Sequence, residues 1–361
     1  MHARIDLRKL AEREGPERAY VSLYITGPDS LNSLSRRVEN VRNMLSDQPH
    51  ELEHFDNSIE MVRTYLDNNP PDGPLCVFAS WAEDYFQVFE LAQPAEDLLW
   101  IDSSPYIRPL AELQDEYENF VIVSVDNERA SIYYVTSAQM KEEERVSGNV
   151  KSSSKKGGWS QKRYERRRDK QLHRYVKDVA ERLQALAEEK PFRRLVLIGS
   201  GETLGAVRDA LSQDLRNRLV GVEATNAQEE PRIWNEAYKV YLQEEREEEE
   251  DLWSQIKGEY MRDGRAEVGP VKVLKAARVG RMAHLLVNRE AKLAGTRCRD
   301  CEMLHAGKLN SCKTCGSRDV FTVDLINELV ELAERTDAPV EFSEPLSGLQ
   351  KVGDVAALLR Y

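Results

Sequence analysis

Residues 157–183 have the sequence GGWSQKRYERRRDKQLHRYVKDVAERL, and this segment determines how the middle of the chain is organised. From Lys162 to about Lys190 apolar residues recur at helical spacing, and basic residues fill the first turns. Downstream, over residues 195–222, a short apolar run, a helical pattern and a second short apolar run follow. A helix followed by strand, helix and strand is typical of a parallel sheet segment, so we predict an α/β central region.

The basic charge of the chain is concentrated in one place. The whole sequence has 51 Lys and Arg against 63 Asp and Glu, a net charge of −12. Residues 151–175 contain ten basic and two acidic side chains, a local charge of +8, so the rest of the chain carries −20. This distribution argues against a protein that coats nucleic acid non-specifically. It favours a single basic element that contacts nucleic-acid phosphates, and a basic helix that is merely exposed to solvent is the alternative.

A segment rich in Gly, Ser and Lys precedes the predicted helix. Residues 147–156 lack a hydrophobic period and are predicted to form an exposed loop. Gly157 and Gly158 would let the backbone enter a space too narrow for side chains. Trp159 indicates a tip that stacks on a base, because a spacer seldom ends on an indole. A flexible linker is the alternative interpretation.

The remaining sequence predicts two further regions of mixed α and β structure. Strand and helix patterns alternate from the start of the chain to about residue 111. Within this first region, His50 and His54 are expected to lie in a polar linker without partners. A hairpin pattern at 120–135 opens the central region, and a third region begins after Gly264. We therefore predict an α/β (α+β) fold with three domains, at residues 1–115, 116–262 and 263–361.

Four of the five cysteines form two C-x-x-C pairs separated by ten residues, Cys298 with Cys301 and Cys312 with Cys315. Each pair lets two thiolates reach one ion, and two pairs give the tetrahedral sulfur set that zinc prefers. Four thiolate ligands leave no position for water, so the expected role is structural. Four reduced cysteines without a metal are the alternative, and His305 in the intervening loop is expected to be a bystander.

A glycine-rich turn after a predicted strand resembles a dinucleotide-binding motif only in part. Residues 199–205, GSGETLG, have the spacing G-x-G-x-x-x-G and not G-x-G-x-x-G. A tight turn between a strand and a helix explains the glycines equally well, so nucleotide binding is the weaker interpretation. The apolar runs are too short to span a membrane and the first residues do not resemble a signal peptide, so we expect a cytoplasmic protein.

Residues 157–183 resemble the central domain of the archaeal and eukaryotic class I release factors, in which a Gly-Gly-Gln tip precedes an Arg-rich helix. Similarity extends to the strands of the first domain and to the start and end of the third, in residues 20–25, 75–78, 266–287 and 357–361. The resemblance implies a ribosomal-protein-like third domain with a cysteine insertion, here at residues 298–315. It also implies a translational GTPase as a possible partner.

The resemblance implies entry into the ribosomal A site and catalysis of peptidyl-tRNA hydrolysis by the central loop. Gly157 and Gly158 match the two glycines of the family, Trp159 stands where glutamine belongs, and Gln161 follows two residues later. These four residues are the candidate catalytic set. The candidate RNA-binding residues are Lys155, Lys156, Lys162, Arg163, Arg166, Arg167, Arg168 and Arg174.

The first domain departs from the family pattern. The stop-codon motif Asn-Ile-Lys-Ser between two helices has no counterpart, since residues 34–42 have the sequence LSRRVENVR. We therefore expect a monomeric, codon-independent factor that frees peptides from tRNA on stalled ribosomes. The alternatives are a ribosome-binding hibernation or rescue factor without hydrolytic activity, related to Pelota, and an RNA-binding or metabolic protein outside translation.

Overall fold

The computed structural model of the chain describes residues 5–91, 93–116, 119–136, 139–148, 150, 159–199, 201–224 and 229–361. Two compact units make up the chain. Residues 1–116 and 249–361 form the terminal unit, and residues 117–248 form the central unit. Both mix helices and sheets, which agrees with the predicted α+β class. The division into three domains stays a prediction. No helix among the described residues is long and apolar enough to cross a membrane.

The N-terminal part of the terminal unit is built on a four-stranded antiparallel sheet in the order β3-β2-β1-β4. Its strands are β1 (Tyr20–Ile25), β2 (Leu75–Ser80), β3 (Tyr85–Glu90) and β4 (Leu98–Asp102). Its helices are α1 (Leu7–Ala11), a 3-10 turn (Pro28–Ser33), α2 (Leu34–Met44), α3 (Pro49–Asn68) and α4 (Arg108–Glu116).

Helix α3 corrects the predicted polar linker. It begins at Pro49, so His50 and His54 lie in its first turns. Proline suits the first helical turn, where its missing N–H would have no partner inside the helix. The apolar side of α3 packs against the sheet through Phe55, Ile59 and Val62.

The central unit is a five-stranded sheet in the order β7-β6-β5-β8-β9, with helices on both faces. Its strands are β5 (Phe120–Val125), β6 (Arg129–Thr136), β7 (Gln139–Ser147), β8 (Arg194–Gly199) and β9 (Leu219–Ala224). Its helices are α5 (Trp159–Glu189), α6 (Gly201–Ala210), α7 (Gln213–Asn217) and α8 (Glu230–Tyr260), which continues into the terminal unit. Strands β5, β8 and β9 are parallel, which confirms the predicted parallel segment.

The alternation of side chains in β5 explains the helices on both faces. Val121 and Val123 point to the cluster that holds α5, whereas Phe120 and Ile122 point to the cluster that holds α8. Since successive strand residues face opposite sides, a strand with apolar side chains on both sides must be covered on both faces of the sheet.

The C-terminal part of the terminal unit contains two sheets. The first has the order β10-β16-β11-β15, with β11 and β15 parallel, and the second has the order β13-β12-β14. Its strands are β10 (Ala266–Val268), β11 (Met282–Asn288), β12 (Ala294–Cys298), β13 (Leu304–Ala306), β14 (Val320–Asp324), β15 (Val340–Ser343) and β16 (Val355–Leu359). Its helices are α9 (Pro270–Arg278), α10 (Leu325–Arg335) and α11 (Ser347–Gln350).

Buried polar groups join the two parts of the terminal unit. The Asn327 side-chain oxygen on α10 accepts hydrogen bonds from the backbone N–H groups of Ile107, at 2.8 Å, and Arg108, at 3.0 Å. Ser104 Oγ donates to Glu331 at 2.7 Å. Each partner replaces a hydrogen bond to water that burial removes, so these contacts fix the register between the two parts.

One buried carboxyl group at this contact makes stability depend on pH. Burial, and secondly the charge of Glu328, raise the pKa of Asp102 to about 7. The folded chain therefore holds a proton on Asp102 that the unfolded chain releases above pH ~4. The contribution of this carboxyl group to the free energy of unfolding is present at low pH and is lost as the pH rises through about 7. Asp102→Asn should remove that dependence.

We predict that the free energy of unfolding of the wild type falls between pH 5 and pH 8 by up to about 3 kcal/mol more than that of Asp102→Asn. Denaturant unfolding of both proteins at the two pH values measures the difference. Equal losses in the two proteins would show that Asp102 does not hold a proton in the folded chain.

Candidate metal centre and basic helix

The four cysteines of the two C-x-x-C pairs meet at one point beside the three-stranded sheet. Their sulfur atoms all lie within 4.8 Å of one another. The Sγ–Sγ distance is 3.6 Å between Cys298 and Cys315 and 3.5 Å between Cys301 and Cys312. A tetrahedral ion with metal–sulfur bonds of about 2.3 Å requires sulfur–sulfur distances of about 3.8 Å. The arrangement fits such an ion, and in the described part of the chain it is the one group of this kind.

Backbone hydrogen bonds shape both cysteine pairs. The N–H of Cys298 donates to Met303 at 3.1 Å, and the N–H of Cys312 donates to Ser317 at 2.7 Å. The Cys312 sulfur also accepts a hydrogen bond from the N–H of Thr314 at 3.4 Å. N–H groups directed at sulfur stabilise the thiolate form that binds metal.

His305 is not part of the four-sulfur group but contacts one of its members. Strand β13 pairs His305 with Thr296 of β12, and its Nε2 lies 3.2 Å from the Cys312 sulfur. Chiefly through this hydrogen bond, the pKa of Cys312 is lowered to about 5. The pairing of β13 with β12, which the sequence analysis did not predict, is what brings His305 to the sulfur.

Helix α5 carries the basic residues on a solvent-exposed side. Its buried side consists of Leu172, Tyr175, Val176, Val179, Leu183 and Leu186, at the spacing of three and four that the sequence predicts. Arg166, Arg167, Lys170 and Arg174 are exposed. Arg168 is different, because its guanidinium forms an ion pair with Glu202 of α6. The exposed basic surface, defined as Arg166, Arg167, Lys170 and Arg174, is therefore free of this pairing.

The structure describes the other predicted site residues only in part. Gly157, Gly158, Lys155 and Lys156 lie outside the described residues. Helix α5 begins at Trp159, three residues before the predicted start, so Trp159, Gln161, Lys162 and Arg163 belong to its first two turns. Only their backbone is described. The catalytic and RNA-binding roles of all these residues stay predictions.

The glycine-rich turn after β8 has a structural explanation. A side chain at Gly199 would place its Cβ 2.0 Å from the carbonyl oxygen of Val125, so only glycine fits. At the start of α6, Thr203 donates its hydroxyl to Asn127, at 2.5 Å, and Glu202 faces Arg168. A carboxylate at this helix start disfavours a phosphate there. These contacts favour the tight-turn interpretation over nucleotide binding.

Known proteins match the chain along most of its length. The sequence profile of bacterial archaeo-eukaryotic release factor family 10 matches residues 105–237. Peptide chain release factor subunit 1 of Thermococcus sibiricus is 22% identical over 98% of this chain and 96% of that protein. The protein of the same name from Methanocaldococcus jannaschii is 24% identical with the same coverage.

Among solved structures, Dom34 of S. cerevisiae aligns with 82% of this chain and 75% of its own length. The identity is 13% and the TM-score is 0.45. Dom34 is described as a translation termination-like factor that is involved in RNA quality control and interacts with Hbs1.

Proposed function

We propose, from its membership of the archaeo-eukaryotic release factor superfamily, that the chain enters the ribosomal A site and promotes hydrolysis of peptidyl-tRNA on stalled ribosomes. The observation that carries this proposal is the exposed basic surface of α5. It begins within ten residues of Gly157 and Gly158 and faces away from the apolar side of the helix. A surface of this kind would hold the loop against ribosomal RNA.

The first turns of α5 suit contact with phosphate. Arg166 and Arg167 are neighbours in sequence, and Lys170 and Arg174 follow at the spacing that keeps side chains on one side of a helix. The helix N-terminus adds a partial positive charge at the end closest in sequence to the glycines. Together these charges favour binding to a polyanion, although the chain as a whole is acidic.

At the loop tip we propose that the two glycines leave room for one water beside the ester. The backbone N–H of Trp159, or the Gln161 side chain, would stabilise the negative charge that develops on the carbonyl oxygen. Because α5 begins at Trp159, Gln161 follows the glycines within the first turn of the helix. This proximity supports Gln161 as the replacement for the glutamine of the family motif.

Codon independence is supported by the connection between α2 and α3. Only residues 45–48, with the sequence LSDQ, link Met44 to Pro49, and this link has no Asn-Ile-Lys-Ser sequence. Residues 34–42 lie within helix α2. A factor without the stop-codon motif would act wherever the A site is empty.

We propose that the cysteine cluster holds a structural zinc ion, since four thiolate ligands leave no position for a reacting water. We further propose that the protein acts in the cytoplasm as a monomer and that a translational GTPase contacts its C-terminal part. These three proposals follow from the family and not from a site in the described residues.

Trp159 favours a second candidate function. An indole lacks the carboxamide that the family places at this position, so the loop would occupy the peptidyl-transferase centre without activating water. The protein would then bind idle or stalled ribosomes as a hibernation or rescue factor. Both functions require A-site binding and differ only in release.

Binding to the ribosome is the test common to both functions. We expect the protein to co-sediment with purified ribosomes at moderate salt and to be displaced by an excess of A-site tRNA, since both ligands would use one site. Co-sedimentation that A-site tRNA leaves unchanged would place the protein elsewhere on the ribosome. Failure to co-sediment would contradict both candidate functions.

A further inference from the structure

Arg299, inside the first cysteine pair, reaches across to the N-terminal part of the terminal unit. Its Nη2 lies 2.8 Å and its Nε 3.0 Å from Oε1 of Glu51, at the start of α3. Its Nη1 donates to Asp319 at 2.8 Å, and its backbone N–H donates to the carbonyl of the same residue at 3.0 Å. The cysteine pair and Asp319 therefore fix both ends of this side chain.

Glu51 is a buried acidic residue that pairs with two arginines. The Glu51 side chain is fully buried, and its second oxygen lies 3.5 Å from Arg18. The guanidinium carbons of Arg18 and Arg299 lie 4.9 and 4.8 Å from the centre of the Phe321 ring. A buried carboxylate is strongly destabilising once a cationic partner is withdrawn. Withdrawal of Arg299 would therefore leave the Glu51 carboxylate with the longer contact to Arg18 and destabilise the start of α3.

A second arginine next to the same cysteine makes a similar contact. Arg297 precedes Cys298 and forms ion pairs with Glu14, at 3.4 Å, and with Glu328 of α10. Glu14 belongs to the N-terminal part, so both residues flanking Cys298 hold that part.

We propose that the metal-loaded cysteine cluster is a latch that holds the N-terminal part of the terminal unit in place through Arg299. The metal fixes the backbone on both sides of Arg299, because Cys298 and Cys301 share one ion. Without the ion, the two cysteine pairs would be joined only by the weak Sγ–Sγ contacts of 3.6 Å (Cys298 with Cys315) and 3.5 Å (Cys301 with Cys312), so the backbone around Arg299 would be less restrained. Arg299 is thus a positioning residue, and the proposal rests on metal binding by the cysteines, not on ribosomal activity.

Thermodynamic linkage makes the latch reciprocal. If the metal stabilises the Arg299–Glu51 contact, that contact must raise the affinity for the metal by the same factor. Glu51 lies far from the cysteines in sequence and is not a ligand, so a purely structural zinc site would not respond to it.

Hydrogen exchange of the full-length protein, before and after removal of zinc with a chelator, tests the first half of the proposal. We expect protection to fall at residues 298–319 and also at residues 49–55 of α3, whereas β5 in the central unit keeps its protection. Loss confined to residues 298–319 would overturn the latch. A purified chain without zinc would also overturn it, whatever its affinity for ribosomes.

Zinc affinity of two matched variants tests the second half. Glu51→Gln removes the buried charge, and Glu53→Gln makes the same change at an exposed position of the same helix. We expect the dissociation constant for zinc to rise by about fivefold or more in Glu51→Gln and to stay unchanged in Glu53→Gln. Equal affinities would overturn the proposal. If Glu51→Gln does not fold, Arg299→Gln compared with the exposed Arg318→Gln makes the same measurement from the other side.

Discussion

Replacing Arg166, Arg167 and Arg174 together with glutamine should weaken ribosome binding on the order of 100-fold at about 0.15 M salt. These three side chains are exposed on α5, and glutamine keeps the helix while removing the charge. Each arginine that contacts a phosphate releases condensed counterions. A plot of the logarithm of the binding constant against the logarithm of the salt concentration should therefore become shallower by about 1 in slope for each arginine replaced. Co-sedimentation over a range of salt concentrations measures both the affinity and the slope.

A variant with the same change in net charge provides the control. Arg36, Arg278 and Arg318 are also exposed arginines, and they lie in the terminal unit. Their replacement by glutamine should leave the salt slope close to that of the wild type. If both triple variants lose affinity equally, overall charge and not the surface of α5 determines binding.

Cys312→Ser should abolish zinc binding and destabilise the C-terminal part by about 3 kcal/mol or more. Cys312 is buried and its sulfur accepts hydrogen bonds from His305 and Thr314, so serine cannot replace it as a thiolate. Structural zinc contributes folding free energy directly, because the site does not exist in the unfolded chain. Elemental analysis gives the metal content, and denaturant unfolding gives the loss of stability.

Two variants separate the loss of metal from other effects. Cys76→Ala changes a cysteine that is fully buried in β2, so it should reduce packing but leave the zinc content unchanged. His305→Ala removes the hydrogen bond to Cys312 but no sulfur ligand, so zinc should bind about 10–100-fold more weakly with the same stoichiometry. Full stability of Cys312→Ser without metal would contradict a structural role.

The strands and helices of the central unit could be predicted because their burial is local in sequence. Strands β5 and β8 consist mostly of apolar residues, and α5 repeats buried residues every three or four positions. Strand β7 was not predicted, because its sequence QMKEEERVS is charged. Its glutamates pair with distant residues, Glu143 with Lys190 and Glu144 with Arg182, and such partners cannot be identified from a local pattern.

The candidate site likewise has features that the local sequence predicts and features that depend on distant residues. The C-x-x-C spacing predicted which cysteines meet, since the ligands of each pair lie three residues apart. The role of Glu51 could not be predicted, because its shortest ion pair is with Arg299, which lies 248 residues away in the sequence. His305 depends likewise on the pairing of β13 with β12.

Peptide release from ribosomes stalled on a sense codon tests the proposed function most directly. Purified ribosomes carrying labelled peptidyl-tRNA would be mixed with the wild type or with Gly158→Ala, and the freed peptide measured. We predict release by the wild type at equal rates on sense and stop codons, and a loss of about 100-fold or more in Gly158→Ala, because a methyl group displaces the reacting groups. If the wild type binds these ribosomes but releases no peptide, the proposed hydrolytic function is contradicted. The second candidate function, a hibernation or rescue factor that occupies the A site, would then remain.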